Sequence, residues 1–83
     1  MDENRIAIVA ILINDPDSVA EVNSILHSYS SCIIGRMGIP YREKNVSIIS
    51  IAMDAPGDMI NAAAGALGKL SGVTAKAVYS KLP

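Results

Sequence analysis

Ile6-Ala7-Ile8-Val9-Ala10-Ile11-Leu12-Ile13 runs directly into Asn14-Asp15-Pro16-Asp17-Ser18, and this junction decides the fold. The first stretch is eight apolar residues, five of them Ile or Val. Its length is that of a strand, and branching at Cβ favours a pleated backbone over a helical one. The second stretch has the grammar of a helix start. Asp15 supplies a capping oxygen, and the fixed φ of Pro16 suits the first helical turn. Val19, Val22, Leu26 and Tyr29 then recur at helical spacing, with Ile25 widening the stripe, so a helix is predicted from Pro16 to Tyr29.

Downstream, Cys32 to Met37 reads as a second strand, and Gly38 to Asn45 as a connection containing Gly, Pro and charge. Asn45 to Met53, rich in Val and Ile, is a third strand. Asp54-Ala55-Pro56 repeats the helix-start signal, and Met59, Ile60, Ala63, Leu67 and Leu70 mark a second amphipathic helix. Gly72, just beyond Lys69 and Leu70, suits a helix stop, and Val73 to Ser80 is the last strand. Two strand–helix–strand units in tandem specify an α+β, ferredoxin-like βαββαβ sandwich. Its four-stranded antiparallel sheet carries both helices on one face. The chain is read as one domain over residues 1–83, with an ordered core over 5–80. The first and third strands, the most apolar, belong in the middle of the sheet.

Composition narrows the function. A chain of 83 residues buries only about 60–65% of its unfolded surface, so its core is small. With one cysteine, Cys32, no internal disulfide and no Cys-rich zinc site is available. His27 is the only histidine, and no second His or Cys stands at ligand spacing, so no metal and no cofactor is expected. His27 reads as a solvated flank residue and Cys32 as a buried, inert thiol. Nothing resembles a catalytic triad, a carboxylate pair or a phosphate-binding loop, so the chain is expected not to be an enzyme. A net charge of −1 argues against direct nucleic-acid binding. The residues are 51% hydrophobic and the mean hydropathy is +0.36, yet no apolar run approaches the roughly 20 residues of a membrane span. The acidic start Met1-Asp2-Glu3-Asn4 is unlike a signal peptide, and a cytoplasmic location is expected.

The excess of apolar residues points to subunit contacts. Two helices cover only one sheet face, so in a monomer the other should be polar. The first strand does not alternate: Ile6, Ile8, Ala10 and Leu12 share one face, and Ala7, Val9, Ile11 and Ile13 the other. In the third strand Val46 and Ile48 oppose Ile49, Ile51 and Met53. A homo-oligomer, dimer or tetramer, is therefore expected. Ala7, Val9, Ile11, Ile13, Ile49, Ile51 and Met53 are assigned to its interface.

Two segments stand out as ligand-binding candidates. Asn14, Asp15, Asp17 and Ser18 sit at a helix N-terminus, where free amides accompany polar side chains. In Gly35-Arg36-Met37-Gly38-Ile39-Pro40-Tyr41-Arg42, paired glycines suggest a bulge or close approach. Arg36 and Arg42 are suited to an anion there, with Met37 and Tyr41 beside them. The alternative for this stretch is a twisted edge strand whose arginines deter aggregation.

The segment Ile6–Ser18, the run Gly35–Arg42, and Asp54-Ala55-Pro56 with Leu67-Gly68-Lys69-Leu70-Ser71-Gly72-Val73 together resemble the iron-only hydrogenase system regulators. These are short stand-alone proteins with an ACT-like fold, similar to the ligand-binding domain of nickel-responsive repressors. The resemblance implies a cytoplasmic, oligomeric regulatory module with a small-molecule effector, or else a protein-interaction module controlling or maturing a redox enzyme. The multiple-histidine nickel set of those repressors is missing, as is any ribbon-helix-helix or helix-turn-helix segment. Asp15-Pro16-Asp17-Ser18-Val19 occupies the place of the ACT ligand loop but lacks the usual glycine after proline.

Overall fold

The computed structural model describes residues 3–81. Strand β1 (Asn4–Ile13) leads through a 3-10 turn (Pro16–Ser18) into helix α1 (Val19–Ser28). A second 3-10 turn (Ser30–Cys32) precedes β2 (Ile33–Tyr41), and a third (Arg42–Lys44) closes the hairpin to β3 (Val46–Pro56). Helix α2 (Gly57–Gly68) and β4 (Val73–Tyr79) complete the chain. The sheet order is β2-β3-β1-β4 and every pairing is antiparallel. This is the α+β ferredoxin-like arrangement, with β1 and β3 central as their composition requires.

The core lies between the helices and one sheet face. Val22 and Leu26 of α1, with Ile60, Ala63 and Leu67 of α2, pack against Ala7, Val9, Ile11, Ile13, Ile49, Ile51 and Met53. Burying each Ile or Leu there contributes about 1.5–3 kcal/mol. The seven sheet residues are the set expected at a subunit interface. They are instead the floor of the core, because the odd-numbered positions of β1 point toward the helices. The face left for another molecule is the even-numbered one.

Three element boundaries also differ from expectation. Asp54-Ala55-Pro56 does not start a helix but extends β3, with Asp54 opposite Ile6, Ala55 opposite Arg5 and Pro56 opposite Asn4. Long-range pairing with β1 outweighs the local signal. Helix α2 begins at Gly57, after Pro56 as N-cap with no side-chain cap bond. Strand β2 runs on to Tyr41 through Gly38 and Pro40, which an edge strand tolerates because one side of its backbone bonds no neighbour. The first helix start behaves as expected: Asp15 Oδ1 accepts the Asp17 amide at 3.0 Å, and Pro16 opens the turn.

The end of β1 is clamped to the turn before β4. The Asn14 amide donates to the Gly72 carbonyl at 2.7 Å, and the buried Ser18 hydroxyl donates to the Ser71 carbonyl at 2.6 Å. No helix among the described residues is long and apolar enough to cross a membrane.

Candidate functional site

The register of the sheet builds its outer face row by row. Thr74, Leu12, Ile48 and Ile39 form one row across β4-β1-β3-β2. Lys76, Ala10, Ser50 and Met37 form the next, and Val78, Ile8, Ala52 and Gly35 a third. Ile8, Leu12, Met37, Ile39 and Val78 are all exposed, as are Ile6 and Ile34 beyond the last row. Lys76 and Thr74 stand on the edge strand β4, so charge lies at the margin while the interior of the face is apolar or small.

Four strands about 4.8 Å apart and some eight residues long give a projected area of about 500 Å². Side-chain relief raises the accessible area above that. Specific interfaces bury about 600–1,000 Å² on each partner, so the face is large enough for one.

The ligand-binding candidates do not converge on one place. Asp15 and Ser18 are engaged in the cap and the Ser71 contact, and the Asp17 amide is taken by Asp15. Asn14 and Asp17 are exposed at the same end of the sheet. Tyr41 and Arg42 come close to this loop, lining a notch of about 110 Å³ with Pro16 and Val19. Met37 belongs to the outer face. Arg36 points to the other side of the sheet, where its Nη2 lies 3.4 Å from Asn23 Oδ1 on α1.

His27 is exposed in the last turn of α1. Cys32 is half-buried, its Sγ 3.4 Å from Met59 Sδ. Among the described residues no group of three or more His, Cys, Asp or Glu is placed to hold a metal ion.

Sequence reasoning missed the outer-face residues Ile6, Ile8, Leu12, Ile39 and Val78. The signal that identifies them is in β4, where Val73, Ala75 and Ala77 alternate with Thr74 and Lys76. Antiparallel pairing sets Thr74 beside Leu12 and Lys76 beside Ala10, which marks the even-numbered face of β1 as the one turned from the helices.

The family model of the TM1266-like iron-only hydrogenase system regulators matches residues 5–77, nearly the whole described sheet-and-helix unit. The chain belongs to this family. Among solved structures it is similar to the uncharacterized protein TM1266 of Thermotoga maritima, with 38% identity and a TM-score of 0.91. That likeness covers 95% of this chain and 100% of the other. Nothing among the curated proteins matches. Membership in the regulator family agrees with the resemblance carried by Ile6–Ser18, Gly35–Arg42, Asp54–Pro56 and Leu67–Val73.

Proposed function

We propose that this regulator-family chain is a non-catalytic module that self-associates through the outer face of its sheet and takes a small effector where subunits meet. The observation that carries the reading is the largely apolar surface from Val78 and Ile8 to Leu12, Ile48 and Ile39, interrupted at its middle by Ser50 and rimmed by Lys76 and Thr74. A largely apolar centre with a polar margin is the anatomy of a specific interface. A second copy is the favoured occupant, because an isologous contact matches this self-similar apolar field without needing complementary charge.

The effector site is assigned to the notch between the Asn14–Ser18 loop and the Tyr41–Arg42 end of the hairpin. At about 110 Å³ it is smaller than the roughly 300 Å³ of a usual small-molecule pocket. Ile13, Ser47 and Pro40 put the notch on the helix side of the sheet's end, so a neighbouring subunit would complete its wall by reaching round that end. Arg42 brings the charge for an anionic group, and Pro16, Val19 and Tyr41 the apolar lining.

A second reading keeps the same face and replaces the second copy with a protein of the iron-only hydrogenase system; the family description favours it. Sedimentation velocity of the full chain, alone and as Ile8→Glu, separates the two. Self-association predicts a dimer or larger species that Ile8→Glu reduces to a lone subunit with unchanged circular dichroism. A wild-type chain that stays a single subunit into the high micromolar range would remove the self-association reading and leave the partner-protein one.

A further inference from the structure

The cleft between the end of α1 and the start of β2 lies at the opposite end of β2 from the Tyr41–Arg42 notch. We infer that it binds a small organic carboxylate, with the anionic head on Arg36 and the apolar body against Ile33. This site does not depend on self-association.

The first observation is the bulge in β2. Ile33 pairs with Met53, and the next pairing is Gly35 with Ala52, so Ile34 is an extra residue without a partner. In a regular strand Ile33, Gly35 and Met37 would share the helix side, and Arg36 would face out with the apolar rows. The bulge reverses the phase, so Arg36 pairs with Ile51 on the helix side. It leaves Ile34 64% exposed and breaks the ladder locally, a cost incurred at the point that aims Arg36. The arginine therefore emerges beside α1.

The second observation is the cleft that receives it. Asn23, Leu26, His27, Ser30, Ile33 and Arg36 line a cavity of about 280 Å³, and none of them is acidic. Half-buried Ile33 supplies the accessible apolar floor, backed by the buried Leu26. Arg36 has five N–H donors in a planar fork, and its contact with Asn23 Oδ1 at 3.4 Å is near the limit of a hydrogen bond. The fork is left with donors in the geometry that a carboxylate accepts in pairs. Ser30, Asn23 and His27 add donors around the rim.

The end of α1 opposes an anion here, since a helix C-terminus carries roughly half a negative charge. Arg36 carries a whole positive one and holds directional donors, so the balance favours binding. The apolar floor then sets the class of ligand. A purely inorganic oxyanion leaves the exposed part of Ile33 uncovered, whereas a short-chain carboxylate covers it.

The test is an NMR titration of the ¹⁵N-labelled full chain with sodium acetate, sodium butyrate and sodium phosphate, each against sodium chloride at matched ionic strength. Butyrate is expected to shift the Arg36 Nε–H, the Asn23 side-chain amide and the His27 and Ser30 amides along saturable curves. Its affinity should exceed that of acetate by about fourfold per buried methylene. Arg36→Gln should weaken butyrate binding at least tenfold, and Lys44→Gln, which removes the same charge elsewhere, should not. Shifts that merely follow sodium chloride, an unaltered Arg36→Gln curve, or equal binding of acetate and butyrate would overturn the proposal. Phosphate binding as tightly as butyrate would reduce the cleft to a general oxyanion site and overturn the assigned class.

Discussion

Gly72 and Asp15 approach so closely that a β-carbon on Gly72 would lie 2.6 Å from Asp15 Cβ and 2.8 Å from its amide nitrogen. Gly72 also has a φ of +66°, the left-handed region that side chains disfavour. The contact joins the two halves of the chain, since Asp15 caps the turn into α1 and Gly72 ends the turn out of α2.

Gly72→Ala therefore meets two penalties at one site. The left-handed backbone alone costs a non-glycine residue on the order of 1–2 kcal/mol, and the clash must be relieved by moving a capped turn. A loss of about 2–3 kcal/mol is expected in urea unfolding at fixed protein concentration. Gly65→Ala is the contrast, since a β-carbon there meets nothing within 4 Å and α2 gains helix propensity. A Gly72→Ala protein as stable as wild type would mean that the turn is not held against Asp15.

Asn45 presents the same backbone problem in a milder form. It has a φ of 58° and a ψ of 41° at the close of the 3-10 turn between β2 and β3. Asparagine tolerates this region better than most residues, and glycine better still. Asn45→Gly should be within about 0.5 kcal/mol of wild type, while Asn45→Val should lose about 1–2 kcal/mol. Equal stabilities for the two variants would show that the hairpin closes by another route.

These positions bear on what the amino-acid order makes legible. The cap at Asp15 and Pro16 is local chemistry, and it was readable because only neighbouring atoms take part. Asp54-Ala55-Pro56 carries a similar signal and behaves differently, since its partners Ile6, Arg5 and Asn4 are 48 to 52 residues away in the chain. Gly38 and Pro40 read as strand breakers, and the edge location of β2 is what makes them harmless. The assignment of the sheet faces failed for a different reason. An uninterrupted apolar run such as Ile6–Ile13 has no phase, so either face could be the core. Only the alternation of Val73 to Ala77, transferred through the β1–β4 register, resolves it. The cleft around Arg36 was out of reach because a one-residue bulge decides which side the arginine takes.

Tyr79 ties the last strand to α2. Its hydroxyl lies 3.2 Å from the Gly57 carbonyl and also meets Asn61 Oδ1, while the Arg5 guanidinium sits 4.4 Å from the ring centroid. Tyr79→Phe keeps the ring and the cation–π contact but removes the hydroxyl. A loss of about 1 kcal/mol is expected, the usual net value of one hydrogen bond. Tyr79→Leu should lose more by also removing the surface beneath Arg5. If the Phe and Leu variants were equally destabilised, the ring–guanidinium contact would contribute nothing.

Ile11 and Leu12 are neighbours on β1 with opposite environments: Ile11 is 0% exposed beneath the helices and Leu12 is 42% exposed on the outer face. Ile11→Ala opens a cavity in the core and should cost about 3 kcal/mol at any protein concentration. Leu12→Ser removes side-chain surface that is already half wet in a lone chain, so at low concentration its cost should stay below about 1 kcal/mol. If copies associate through the outer face, mass action stabilises the wild type as concentration rises and leaves Leu12→Ser behind. Unfolding curves at two concentrations a hundredfold apart read both effects. Equal losses for the two variants at low concentration would contradict the assignment of the faces. A wild-type midpoint independent of concentration would mean that the surface around Leu12 is not covered by another copy.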